Sequence, residues 1–314
     1  MNKNIKIYIA GHTGLVGSAI KRQLEKVGYK NLICKIHKKL DLTNQKKVED
    51  FFSVKQPEWV FIAVAQVGGI MANIKHPTEF LYNNLMIECN IINSAYKYNV
   101  KKLLFLGSSC IYPRECPQPM KEEYLLTGKL EPTNEGYALA KITGIKLCEY
   151  YNKQYNTNFI SLIPSNIYGV RDNFDLINSH VIAALIRKFS EANLKKLPFV
   201  KIWGTGEAMR EFLYVDDLAD ACLYFMENFD AGKMPSFVNI GTGEDISIKE
   251  LAELIKKIVG YMGEIIWDTS KPDGMPRKVV DTTAATKLGW KAKTSLKHGI
   301  KKTFMWYKKN YAKI

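Results

Sequence analysis

The sequence predicts an α/β chain: a doubly wound parallel sheet with a smaller C-terminal lobe. Three observations carry that prediction. Short β-rich runs alternate with helical stretches through the first 165 residues, a glycine-rich turn joins the first run to the first helix, and the alternation loses its regularity after Pro164. Alternation of this kind marks parallel strands joined by helices that cover both faces of the sheet.

In chain order, residues 5–10 read as a buried strand and 18–27 as the helix that follows. Further β-rich runs at 32–36, 59–65, 103–106 and 159–163 read as strands of a sheet buried on both faces. Helices are expected between them at 46–52, 77–98 and 137–155. Beyond Pro164 come a helix at 181–191, short strands at 200–203 and 237–240, and two late helices at 248–261 and 295–310. No internal repeat or low-complexity linker separates the halves, so the second reads as a lobe built from excursions off the first.

The 314 residues are 46% hydrophobic and 24% charged, ordinary globular usage that excludes a disordered or fibrous chain. No run approaches the roughly 20 apolar residues of a membrane span. Met1-Asn2-Lys3-Asn4 leads into an apolar run too short for a secretory signal, so a cytoplasmic location without membrane attachment is expected. The formal charge is +14, but the lysines are scattered, not gathered into the stripe a nucleic-acid binder needs. Such a field suits an anionic small molecule. Six cysteines without a C-x-x-C pair or clustered histidines suggest neither disulfides nor a metal site, and Cys110 alone invites chemistry.

Gly11-His12-Thr13-Gly14-Leu15-Val16-Gly17 stands between the first strand and the first helix. Glycines there permit a tight turn and close backbone approach. The helix N-terminus offers free N–H groups and the positive end of its dipole to a pyrophosphate. This is the dinucleotide fingerprint of a Rossmann sheet at altered spacing; a plain glycine-rich turn is the alternative. Residues 1–165 accordingly read as the dinucleotide-binding domain, and 166–314 as mainly a substrate-binding lobe with some segments returning to the first. An NAD site carries an acid near the end of the second strand to hold the ribose 2′-hydroxyl. Here Lys35, Ile36, His37, Lys38 and Lys39 precede the first acid, Asp41, so NADP(H) is expected; a solvated lysine cluster is the alternative.

Tyr137-Ala138-Leu139-Ala140-Lys141 sets a phenol and an ammonium four residues apart on one helical face. A neighbouring ammonium and a nicotinamide cation would both favour the phenolate, bringing tyrosine into a useful range for acid–base work. Ser108, in Gly107-Ser108-Ser109-Cys110 just past a strand, is a candidate to hydrogen-bond the same substrate oxygen. Y-x-x-x-K alone is common surface packing; the serine and the glycine loop beside it make the set specific.

With these residues the chain resembles the extended short-chain dehydrogenase/reductases, and among them the enzymes that epimerise and reduce GDP-4-keto-6-deoxy sugars. The likeness runs nearly end to end. It includes Val67-Gly68-Gly69-Ile70, LGSSCIYP at 106–113, EPTNE at 131–135, Tyr137 to Lys141 and Asn178-Ser179-His180-Val181. It continues through Met209-Arg210-Glu211-Phe212-Leu213, Val215-Asp216-Asp217, Lys271-Pro272-Asp273-Gly274 and Pro276-Arg277-Lys278. The resemblance implies a homodimer and a two-stage reaction in one site. The 4-keto group acidifies C3 and C5, where Cys110 and His180 match the family's acid/base pair; thiols and imidazoles both exchange protons near neutral pH. NADPH then delivers hydride to C4 while Tyr137 protonates the oxygen, assisted by Ser108 and Lys141, so that GDP-4-keto-6-deoxy-D-mannose becomes GDP-L-fucose.

For the cofactor the resemblance and the glycine loop together indicate Gly11, Thr13, Gly14, Leu15, Val16, Gly17, His37, Lys38, Asp41, Leu42, Lys141, Pro164, Asn166, Ile167 and His180. For the GDP-sugar it implies Lys188, Trp203, Arg210 and Asp273. Thr13 and His37 stand where the best-known bacterial relatives carry arginine, and Lys188 replaces another, a weaker bidentate phosphate ligand. Taken singly, Cys110 also reads as a small core residue, His180 as a structural histidine, Trp203 as core and Lys188 as solvated. Reduction at C4 alone, on a related GDP-hexose or heptose, is the rival reading. A non-catalytic dinucleotide-binding regulator is the alternative of another class, and the intact Ser108, Tyr137 and Lys141 speak against it.

Overall fold

The computed structural model describes residues 2–176, 179–271 and 273–311; Asn178 and Pro272 of the motifs above lie outside them. Strand β1 (Ile7–Ala10) is buried throughout and runs into the glycine turn that starts α1 (Leu15–Lys26). There follow β2 (Leu32–Ile33), α2 (Gln45–Lys55), β3 (Trp59–Ile62), a short α3 (Ile70–Lys75) and the long α4 (Pro77–Lys97). Pro77 opens α4 at the one turn where a missing N–H costs nothing. Then come β4 (Lys102–Leu106), α5 (Glu135–Tyr155) and β5 (Phe159–Pro164). The strands pair in the order β2-β1-β3-β4-β5, all parallel. Ile7, Ile9, Phe61 and Leu104 fill one face of the sheet, and Tyr8, Val60 and Phe105 the other, the two-residue alternation of a strand. Because β2 lies to one side of β1 and β3 to the other, the switch point falls between them. Ligands of open α/β sheets bind in that crevice, beyond the carboxyl ends of the strands.

Past β5 lie β6 (Asn166–Tyr168), α6 (Val181–Leu194), β7 (Phe199–Trp203), β8 (Met209–Tyr214) and α7 (Val215–Asn228). Strand β9 (Val238–Ile240) returns to pair with β5 as the sixth parallel strand. The chain ends through β10 (Asp245–Ser247), α8 (Ile248–Val259), β11 (Glu264–Asp268), β12 (Arg277–Lys278), α9 (Thr283–Lys287) and α10 (Leu296–Asn310). β8 is the hub of the smaller sheet, with β10 antiparallel on one edge and β12 and β6 parallel on the other. A separate core forms here from Ile186 and Phe189 of α6, Leu251 and Ile255 of α8, and Ile300 of α10.

The structure differs from the sequence expectation in several short elements, α3, β6, β10, β11, β12 and α9, and more substantially in two places. The strand expected at 32–36 shrinks to two residues at the sheet edge, where β1 is its one neighbour. Residues 209–228, assigned no element from sequence, form β8 and α7. Helix α7 buries Leu218, Ala219, Ala221, Cys222, Leu223, Phe225 and Met226 and keeps Asp216, Asp220 and Glu227 on its open edge, a helical spacing the sequence reading passed over. Among the described residues no helix is long and apolar enough to cross a membrane.

α4 and α5 approach closely where Gly144 faces Phe105 and Glu88; a Cβ there would collide with the Phe105 ring and stand 2.8 Å from Glu88 Oε2. Both neighbours are fully buried and have nowhere to retreat. Gly144→Ala is expected to cost about 1–3 kcal/mol, seen as a lower midpoint in urea unfolding; an unchanged midpoint would show that the helices can move apart.

Candidate active site

Gly11 takes φ +85°, and a side chain on it would strike Ala63 just past β3. Gly14 N donates to Gly11 O at 2.9 Å and closes the turn, while a Cβ on Gly17 would collide with the Gly11 carbonyl. So α1 starts directly against the turn, at the sheet's switch point. Gly14 caps it without a side-chain bond, which leaves the first N–H groups free for an anion. Thr13 is exposed and Leu15 and Val16 are half-buried along the same turn. His12 Nδ1 is buried with no partner among the described residues, and burial and the Lys21 charge lower the imidazole pKa. The cradle is backbone-lined, free of acids and closed to a Cβ at Gly11 and Gly17, and it fits a dinucleotide pyrophosphate. His37 and Lys38 lie exposed after β2. Asp41 is turned aside: Thr43 Oγ and N–H donate to its carboxylate at 2.7 and 3.0 Å and hold its pKa below the usual range. Leu42 is buried, its carbonyl taken by Asn90.

At the end of β4, Ser108 Oγ accepts from Cys110 N at 3.4 Å and caps the short turn Ser109–Ile111. Tyr137, in the first turn of α5, stands beside Ser108. One turn on, Lys141 Nζ lies 5.8 Å from the centre of the Tyr137 ring and 4.8 Å from that of Phe105. It donates to Glu88 Oε1 at 2.8 Å, and the two side chains are 3% and 1% exposed. Burial pushes the Glu88 pKa up against the pull of Lys141, and its Oε2 has no partner among the described residues. Burial, followed by the Cys110 and Glu88 charges, also pushes the Tyr137 pKa up, with only Ser108 opposing. The chain's own residues therefore favour the neutral phenol where the sequence reading expected help toward the phenolate. The Lys141 charge is engaged by Glu88, and burial prevails.

Cys110 Sγ accepts from Lys278 Nζ at 3.3 Å and from Asn134 Nδ2 at 3.4 Å. His180 occupies the N-cap of α6 and opens to the cleft, yet enough protein surrounds the ring to lower its pKa, helped by the Lys278 charge. Lys278 thus touches one of the expected proton-exchanging groups and is felt by the other. The segment leading to His180 turns at Asp172, whose Oδ1 accepts from Asn173 N at 2.7 Å. Its Oδ2 is buried without a partner, and burial pushes the pKa up to about 7 against the Asn173 and Gly169 N–H bonds.

Toward the second lobe, Pro164 closes β5, Asn166 Nδ2 donates to Glu211 O at 2.7 Å, and Ile167 is half-buried in β6. Lys188 Nζ donates to Lys201 O at 3.1 Å and lies 5.9 Å from the centre of the Trp203 ring, and burial lowers its pKa. Trp203 is 54% exposed, so it is not core; Lys271 Nζ lies 5.8 Å from the same ring. Burial lowers the Arg210 pKa while Asp273 opposes it, and Arg210 Nη2 donates to Asp273 O at 3.4 Å. The Asp273 carboxylate accepts from Thr205 N and Oγ1, both at 2.8 Å, and so braces the turn at Gly204 and Thr205. Among the described residues no group of three or more His, Cys, Asp or Glu is arranged for a metal ion.

Sequence reasoning gave no role to Glu88, Asn134 or Lys278. Asn134 and Lys278 stood inside quoted motifs, but only the fold brings them to one sulfur. Glu88 lies mid-helix and nothing local marks it.

A glycine turn at the switch point of a parallel sheet, with a hydroxyl-bearing strand end beside it, defines a dinucleotide-binding enzyme of the short-chain dehydrogenase/reductase class. The model described as the NAD dependent epimerase/dehydratase family matches residues 7–241, and the chain belongs to that family. It is 52% identical over 309 residues to GDP-L-fucose synthase 1 of Arabidopsis thaliana, spanning 98% of this chain and 95% of that protein. With GDP-L-fucose synthase of Escherichia coli (strain K12) the identity is 50% over 311 residues and 97% of each chain. A solved structure of a GDP-mannoheptose C4 reductase from Campylobacter jejuni with NADP bound is 43% identical, with a TM-score of 0.92 over 98% of this chain and 99% of that one.

Two outcomes test this geometry. Glu88→Ala leaves Lys141 buried and unpaired and is expected to destabilise by about 3–5 kcal/mol, measured by denaturant unfolding. Asp172 has a folded pKa raised to about 7, above the roughly 3.9 of an unfolded aspartate. Its contribution therefore favours the folded state at low pH and is lost as pH rises through about 7. Asp172→Asn should lose less stability than the parent between pH 5 and pH 8; equal losses would mean the carboxyl does not titrate there.

Proposed function

We propose that the chain catalyses NADPH-dependent epimerisation at C3 and C5 and reduction at C4 of GDP-4-keto-6-deoxy-D-mannose, giving GDP-L-fucose. One observation carries the proposal. Ser108 and Tyr137 share a cleft with Cys110 and His180, both tied to Lys278, in a chain about half identical to GDP-L-fucose synthases. Reduction by itself has no need of a thiol and an imidazole.

Residues 1–165 would hold the cofactor and 166–314 mainly the GDP-sugar. The glycine turn and the open N-terminus of α1 suit the pyrophosphate, His37 and Lys38 a 2′-phosphate, and Pro164, Asn166 and Ile167 the nicotinamide end. Bound NADPH supplies a hydride for C4. Lys188 and Arg210 suit the diphosphate, and the open face of Trp203 suits a base or sugar. In the first stage Cys110 and His180 remove and return protons on opposite faces of the sugar, while Ser108 hydrogen-bonds the O4 that carries the developing charge. In the second stage Tyr137, whose surroundings keep its proton in place, gives that proton to O4. The reading includes a homodimer in the cytoplasm, as the class implies.

The rival, reduction at C4 alone on a related GDP-heptose, is favoured by the likeness to the heptose C4 reductase. NMR assignment of the product from GDP-4-keto-6-deoxy-D-mannose and NADPH separates the two. GDP-L-fucose is expected; a reduced but unepimerised sugar selects the rival, and no turnover removes the fucose assignment. Tyr137→Phe is expected to slow reduction about 10²-fold or more, while deuterium from the solvent still enters C3 and C5. Loss of both together would reject the division of labour.

A further inference from the structure

Cys110 has more built around it than a proton-exchanging thiol needs for contact with a sugar. Its sulfur receives two N–H donors, the Lys278 ammonium at 3.3 Å and the Asn134 amide at 3.4 Å. An ammonium has three donors and no acceptor, so in this contact the sulfur accepts. Lys278 is half-buried, and no carboxylate pairs with it among the described residues, although its neighbour Arg277 pairs with Asp245.

The backbone that carries Lys278 is anchored on both sides. Lys278 stands opposite Arg210 in the β12–β8 pairing, and Met209 N donates to Pro276 O at 2.8 Å. On the other side Val279 N donates to Gln118 Oε1 at 3.0 Å and Val280 N to Glu211 Oε2 at 2.8 Å, while Met120 N donates to Val279 O at 2.8 Å. Asn134 is held likewise, by the turn Pro132–Asn134 that leads into α5. A cation and an amide anchored on separate segments thus converge on one sulfur.

We propose that Lys278 is the counter-cation of a Cys110 thiolate, with Asn134 as its second donor, and that the two position this sulfur for its part in proton exchange. The assignment rests on the reading of the site given above, and adds to it two positioning residues. When the thiolate takes the proton, the C–H bond at C3 or C5 breaks, an S–H bond forms, and the bonding pair remains on the sugar as an enolate at O4. Lys278 loses its anionic partner as the enolate charge appears in the same cleft. A charge-assisted N–H···S contact of this kind is what distinguishes a reactive cysteine from a buried inert one.

The test measures the sulfur directly. Iodoacetamide labelling of Cys110 in the intact protein, without substrate, is followed by mass spectrometry of its peptide at pH 7. Lys278→Met and Lys278→Gln are each expected to slow labelling fivefold or more, although both open space around the sulfur. Lys278→Arg should stay within twofold of the parent, and Asn134→Ala should slow it by a smaller factor than loss of the lysine. Solvent deuterium entry at C3 and C5 should fall at least tenfold in Lys278→Met. Labelling that is unchanged or faster in both neutral variants overturns the proposal. So does a variant whose one effect is a raised KM, since Lys278 would then serve only the diphosphate. A parent enzyme that fails to turn over the keto-sugar removes the functional reading while the labelling comparison still decides the role of Lys278.

Discussion

An ammonium and a carboxylate buried together between two helices are the constraint on which the cleft depends. Stripping water from Lys141 and Glu88 costs several kcal/mol for each ion, so the pair persists only while each holds the other. That contact ties α5 to α4. The phase of α5 then follows, and one turn earlier it sets Tyr137 beside Ser108 at the end of β4. The same α4 carries Asn84, whose amide accepts from Gln66 N at 2.7 Å and donates to Gln66 O at 3.0 Å. One helix thereby fixes both the lysine and the segment leaving β3, on the two sides of the crevice.

Burial, more than neighbouring charge, sets the proton affinities in the cleft. It raises Tyr137 and Glu88 and lowers His180, Lys188 and Arg210, in each case favouring the uncharged form. The scattered surface lysines act differently: they leave the chain with a net charge of +14, which draws anions from a distance. A polyanionic ligand drawn by that charge meets, at the cleft, cations already partly stripped of water.

The layered architecture was readable in the residues because its rules are local. The runs at 5–10, 59–65, 103–106 and 159–163 all fall on strands of the parallel sheet, and the helices at 77–98 and 137–155 are α4 and α5 almost to the residue. The glycine turn was readable too, since a left-handed Gly11 and a Gly17 pressed on a carbonyl leave a sequence trace. Helix α7 was missed although Asp216, Asp220 and Glu227 mark its open edge, because it follows β8 with no turn residue to announce a new element. The Cys110 environment was not readable. Asn134 and Lys278 are 24 and 168 residues from that cysteine, and no spacing rule reaches so far. Asp273 shows the opposite limit: its place in a motif was visible, but not that its carboxylate faces Thr205.

Glu211 gathers distant pieces of chain on one carboxylate. Its two oxygens accept backbone N–H groups from Thr242, Gly243 and Val280, positions 31, 32 and 69 residues later. During synthesis the parallel sheet through β5 can therefore be complete while the cleft is still missing a wall. Lys278 thus faces Cys110 from a segment whose place depends on a carboxylate far earlier in the chain.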